Sequence, residues 1–234
     1  MITIFCLALL FNGANEILHQ SDQSRLNAQY MKVELSLEVY ENDKLQESER
    51  LDVYNQGSDK ALVKFLDKKR NGQLVLSVAD NMWIYFPNTR KPLRITPMQR
   101  LMGQASNGDI ARLSYSADYD ATLLREDVYD GQPCWVLELT AKSRASTYRK
   151  VHYWVTKNDA LPLKADFFLI SGKYFKRAFF EDYKKVDGRW QIGAIRYQTI
   201  GNEKETTVMR FIQFSEKELP GKFFNKNYLS KVKF

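Results

Sequence analysis

Apolar and polar residues alternate one by one near the start of the chain. Met31, Val33, Leu35, Leu37 and Val39 interleave with Lys32, Glu34, Ser36 and Glu38. A period of two places the two sets on opposite faces of a β-strand, one buried and one wet. Asn42-Asp43 follows as a turn signal and the charged run 45–54 leads back, so the pair predicts a long antiparallel hairpin. Strand-like runs recur at 61–66, 74–78, 82–86, 121–129, 134–141, 150–156, 163–170, 174–183, 190–200 and 206–214. Asp130-Gly131 and Asp187-Gly188 are hairpin-type dipeptides between them. About ten to twelve antiparallel strands in meander order predict a mainly β fold, a large curved sheet or an unclosed antiparallel β-barrel.

Two segments break this period. Residues 15–26 place Ile17, Leu18 and Leu26 near helical spacing among polar neighbours, which predicts an amphipathic N-terminal helix. Pro87, Pro92 and Pro97 end the sheet pattern, and 98–113 is the central insertion that does not read as strand. It predicts one or two short helices split at Asn107-Gly108. The strands at 82–86 and 164–170 carry apolar groups on both faces, as expected of a sheet covered on both sides.

With 234 residues and no long Gly, Ser or Pro tract, the chain fits one β domain with short tails. The expected division is 1–14, 15–220 and a basic tail at 221–234. Residues 1–11 form an apolar run of signal-peptide length, too short to span a bilayer, and export is the expectation. The absence of Lys or Arg before the run and the Phe11-Asn12-Gly13-Ala14 junction depart from that pattern, and a buried N-terminal helix or strand is the alternative.

The net charge of +7 comes from Lys and Arg scattered among Asp and Glu, which argues against nucleic acid. The denser basic stretches, 144–196 and 222–234, suit peripheral contact with an anionic membrane surface or simply a solvated face. Only His19, His152, Cys6 and Cys134 are present of the soft ligands, with no metal-ligand spacing and no nucleotide or hydrolase motif. Glu126-Asp127 and Glu181-Asp182 are adjacent on strands and point to opposite faces, so neither pair converges on one substrate atom. These readings predict a non-enzymatic protein without a cofactor.

What remains is apolar surface. Trp83, Tyr85, Trp135, Leu137, Tyr153, Phe167 and Leu169 are the candidate lining of a cavity for an acyl chain, with core filling as the plainer role for any one of them.

Three strings carry a resemblance: Asp80-Asn-Met-Trp-Ile-Tyr-Phe-Pro-Asn-Thr-Arg-Lys-Pro-Leu-Arg-Ile95, Gly103-Gln-Ala-Ser-Asn-Gly-Asp-Ile-Ala-Arg112 and Tyr153-Trp-Val-Thr-Lys-Asn-Asp-Ala-Leu-Pro-Leu163. With them the chain resembles the outer-membrane lipoprotein-sorting family, that of LolA and LolB, from about residue 15 to 214. The resemblance implies an unclosed antiparallel barrel with a helical lid over an apolar cavity. It further implies a periplasmic carrier of lipoprotein or lipid acyl chains toward the outer membrane, paired with an inner-membrane exporter. A non-carrier accessory subunit that docks on an envelope complex is the alternative. On this model Met98, Leu101 and Met102 are apolar lid contacts, Gly103 and Gly108 are hinges, and Arg90, Arg94 and Arg112 are candidates for the strand arginine that holds the lid.

Overall fold

The computed structural model describes residues 3–26, 28–89 and 91–234, with backbone alone over 3–12. Helix α1 (Thr3–Asp22) precedes a first meander of β1 (Tyr30–Glu41), β2 (Lys44–Gln56), β3 (Lys60–Phe65), β4 (Leu74–Val78), β5 (Asn81–Tyr85) and β6 (Leu93–Ile95). A connecting segment carries β7 (Arg100–Met102), β8 (Ala105–Ser106), α2 (Asn107–Ala111) and α3 (Tyr115–Asp118). The second meander runs through β9 (Tyr119–Tyr129), β10 (Gln132–Ala141), β11 (Lys150–Thr156), β12 (Pro162–Phe168) and β13 (Tyr174–Glu181). After a small ribbon of β14 (Lys184–Val186) and β15 (Arg189–Gln191), it ends with β16 (Ala194–Thr199) and β17 (Asn202–Glu216).

Thirteen of these strands form one antiparallel sheet in the order β6-β5-β4-β3-β2-β1-β17-β16-β13-β12-β11-β10-β9. A twisted sheet this wide must curl. Bulges at Glu34/Leu35, Val136/Leu137 and Phe167/Phe168 add local bends. The result is the expected unclosed barrel. Its topology has a geometric consequence: β1 and β17 pair at the centre, so the free edges are β6 and β9. Those two strands are joined in sequence by residues 96–118, and that segment therefore reaches from one edge of the sheet to the other.

The turn signals are used as their chemistry predicts. Asn42 and Asp43 (φ 49° and 61°), Asp130 and Gly131 (49° and 74°), and Asp187 and Gly188 (49° and 78°) all adopt the positive φ that a two-residue hairpin needs.

Four expectations are corrected. The short β6 adds a strand to the twelve read from the periodicity. The runs 174–183 and 190–200 stop short because Asp182 takes φ 59° and a Cβ at Gly193 would lie 2.2 Å from the Asp182 carbonyl. That corner sends β14 and β15 off as a separate ribbon. In the insertion, Asn107-Gly108 does not split two helices but opens α2, because Ser106 and Asp109 form a capping box, and the residues before it make the β7–β8 hairpin. Finally, the basic tail is folded: two short 3-10 helices (Gly221–Phe224 and Lys226–Lys231) bury Phe223, Phe224 and Leu229.

The inner face of the sheet holds the main core, built from alternate residues such as Leu35, Leu37, Val53, Leu137, Tyr153 and Phe167, with Ala14 and Leu18 of α1 packed on it. The outer face of β3 to β5 has its own cluster, in which Leu62, Leu74 and Leu76 meet Leu219, Phe223, Phe224 and Leu229 of the tail. Helix α1 also shields the β9 edge, where the Ala121 amide donates to Asn15 Oδ1 at 2.8 Å. Among the described residues no helix is long and apolar enough to cross a membrane.

Candidate functional site

The inner face beneath the 96–118 segment is the candidate site. Leu101 and Met102 of the segment, and Trp135, Leu137, Tyr153 and Phe167 of the sheet, meet in one apolar cluster. Leu137, Tyr153 and Phe167 are each 0% exposed, so the segment sits closed on a filled interior. Met98 lies at its mouth, 38% exposed. A groove of about 860 Å³ opens there between Pro97 and Met98 on one side and Arg144, Thr147, Tyr148 and Ile170 on the other.

Three proposed lining residues are elsewhere. Trp83 and Tyr85 face outward, under the C-terminal tail, and Met82 and Ile84 take the inner positions of β5. Because that strand is apolar at every position from Met82 onward, its pattern does not reveal which parity points inward. Leu169 lies half-buried in the turn just past β12, its amide donating to the Lys173 carbonyl.

The lid residues also resolve. Neither glycine is placed as a hinge: each permits close packing. A Cβ on Gly103, at φ +50°, would lie 2.2 Å from Thr207 Oγ1, and one on Gly108 would lie 2.1 Å from Thr147 Oγ1. Arg94 is exposed on β6 and donates to Asn81 Oδ1, away from the lid. Arg112 belongs to the lid segment itself; it pairs with Asp118 at 2.8 Å and donates to the Ala79 carbonyl of the β4–β5 turn. Arg90 lies outside the described residues.

The cation that ties sheet to lid is a lysine that the pattern did not single out. Lys176 on β13 is 1% exposed, its Nζ 2.5 Å from Asp109 Oδ2 on α2 and 3.3 Å from the Gln104 carbonyl. The rings of Tyr197, Tyr148 and Phe167 surround the ammonium at 4.5, 4.9 and 5.4 Å. Burial lowers the Lys176 pKa from its ordinary value while Asp109 opposes that shift. Tyr148 donates to the same Asp109 carboxylate at 3.0 Å, and burial pushes its hydroxyl well above the usual range. Lys176 shares its inward parity with Ala178 and Phe180, but the neighbouring Arg177 and Phe179 blur that reading in sequence.

A second buried charge pair anchors the other end of the lid. Asp22 lies 2.5 Å from Arg25 Nη2 and accepts from Ser114 Oγ and the amides of Tyr115 and Ser116, which fastens the end of α1 to the start of α3. Arg25 lies over the Tyr115 ring at 4.4 Å. Burial works against its charge, yet Tyr153 and Asp22 hold the guanidinium firmly protonated.

A family model described as that of an uncharacterized protein matches residues 57–231. No curated protein matches the sequence. Among solved structures, a LolA superfamily protein from Nitrosomonas europaea is 30% identical, with a TM-score of 0.85 over 92% of this chain and 98% of the other. A DUF1329 family protein from Desulfovibrio piger is 25% identical, with a TM-score of 0.76 over 94% and 99%. An outer membrane lipoprotein-sorting protein domain from Vibrio parahaemolyticus, 19% identical, shares the fold with a TM-score of 0.76 over 94% and 99%.

Proposed function

The chain belongs to the LolA superfamily, and from that premise we propose that it is a periplasmic carrier that takes up acyl chains of a lipid or lipoprotein for transfer toward the outer membrane. The observation that carries this reading is the latched lid. One segment joins the two free sheet edges across an apolar inner face, and among the contacts that hold it down is a buried polar one, Lys176 to Asp109, set among apolar side chains. Lifting that segment exposes Leu101, Met102, Leu137 and Phe167 together, a surface on which each buried methylene of a cargo gains roughly 0.8 kcal/mol. An inner-membrane exporter is the donor that such a carrier requires.

One observation favours a second reading. The inner face is fully packed, with Leu137, Tyr153 and Phe167 at 0% exposure, as an accessory subunit that docks through its surface would have it. Native mass spectrometry with lipid extraction, on protein recovered from the periplasm of its own host, separates the two. A stoichiometric lipid or acylated peptide that is lost on Phe167→Glu establishes the carrier. Protein that arrives empty and takes up no offered lipid establishes the docking subunit.

A further inference from the structure

We propose that the site takes an amphiphile with an anionic head, a carboxylate or a phosphate, which replaces Asp109 on Lys176 when the lid lifts. This rests on the carrier reading and names the class of its cargo. Asp109 and the Gln104 carbonyl both ride on the lid segment, whereas Lys176 is fixed in β13. Opening therefore carries both acceptors away and leaves an ammonium on an apolar face. Asp109 is the carboxylate that ion-pairs with Lys176, and the three surrounding rings only partly offset a buried charge. Tyr148 stands on the β10–β11 connection rather than on the lid, so its hydroxyl also stays behind as a second donor. The closed form thus shows what the open site binds: a carboxylate held between Lys176 and Tyr148.

Access and charge agree with this. Lys176 and Tyr148 line a hollow of about 220 Å³. Through Met98 and Tyr148 it adjoins the groove of about 860 Å³, a volume in the range of small-ligand clefts, into which a chain can trail from the head. Arg144 and Arg149 line that groove, both exposed and without an ion pair among the described residues, and they draw an anion toward the mouth. A neutral glyceride or alcohol head offers Lys176 no counter-charge.

The test is displacement of the neutral fluorophore N-phenyl-1-naphthylamine from the full chain by laurate, lauroyl lysophosphatidate and dodecanol, each below its aggregation limit. Wild type is expected to prefer an anionic ligand over dodecanol by on the order of tenfold to a hundredfold. Whichever of laurate and lysophosphatidate competes better identifies the head as carboxylate or phosphate. Lys176→Arg retains the preference. Lys176→Met combined with Asp109→Asn removes both buried charges at once, which avoids leaving either unpaired, and it abolishes the preference while dodecanol still competes. Equal competition by all three ligands in wild type, or a preference that survives in the double variant, overturns the inference and leaves the carrier reading standing. If none of them, nor the fluorophore, binds, the carrier reading falls as well.

Discussion

Asp109 accepts from Ser106 N and Oγ, from the Tyr148 hydroxyl and from Lys176 Nζ, so a single carboxylate caps α2 and neutralises the buried ammonium. Asp109→Asn is expected to cost roughly 3–5 kcal/mol, the range for stranding one member of a buried pair. With Lys176→Met added, the loss should be clearly less than the sum of the two single losses, which urea denaturation of all four proteins measures. The deficit of Asp109→Asn also has a definite pH dependence. Lys176 already has a folded pKa below its unfolded value of 10.5, and loss of the carboxylate lowers it further. The unfolded chain is common to both proteins, so the deficit changes only where their folded states differ in protonation: it shrinks as pH rises from the variant's Lys176 pKa to the wild-type one, both below 10.5, and levels off above that. A deficit that is constant with pH would show that Lys176 is not the group left uncompensated. The two lid glycines make the complementary steric case. Gly103→Ala and Gly108→Ala should each cost about 1–3 kcal/mol, because neither Thr207 nor Thr147 has room to retreat from a new methyl group. A hinge role would instead leave the melting temperature almost unchanged and slow the opening.

At the level of elements, strands were legible wherever one face was wet. β1 shows its parity outright, and Asn42-Asp43, Asp130-Gly131 and Asp187-Gly188 place three hairpins. A strand apolar on both sides, such as β5 from Met82 onward, can be located but not oriented, and Trp83 and Tyr85 accordingly lie on the outer face and not the inner one expected. The lid hairpin and the tail defeat periodicity for another reason: strands of two or three residues and single 3-10 turns are too short to show a pattern repeating. The tail reads as solvated because Lys222, Lys226, Lys231 and Lys233 dominate it, yet its apolar residues cover Leu62, Leu74 and Leu76 on the outer face. Phe224 is 8% exposed in that contact, and Phe224→Ala is expected to cost about 3–5 kcal/mol, or less where the exposed end of the tail can collapse into the gap. Chemical denaturation checks the loss. A change below about 0.5 kcal/mol would mean that the tail is dispensable to the fold.

For the molecule as a whole, the two meanders meet at β1 and β17 and leave their far edges to be bridged by a segment that the chain cannot avoid placing there. The bridging segment is thus a product of topology, and it is held closed by polar contacts at its two ends and by burial of Met102, Ala105, Ile110 and Leu113 in the core. If only the lifted form admits cargo, the measured affinity is the intrinsic affinity reduced by the fraction of molecules that are lifted. Ser106, on the lid side of the hollow that Lys176 and Tyr148 line, gives a way to shift that fraction. Ser106→Ala removes the cap of α2 and, with it, a hydrogen bond that holds the Asp109 carboxylate against Lys176 and Tyr148, a loss of about 1 kcal/mol from the closed form. The lifted population then rises about fivefold, and the apparent Kd for a bound amphiphile should fall by the same factor even as the protein becomes less stable to urea. A destabilising substitution that tightens binding distinguishes a closed carrier from a rigid pocket, in which loss of the same cap would weaken binding or leave it unchanged. Titration of wild type and Ser106→Ala side by side, with hydrogen exchange of the 96–118 amides as the independent readout of opening, measures both halves of that linkage. Faster exchange without tighter binding would mean that cargo enters by a route other than the lid.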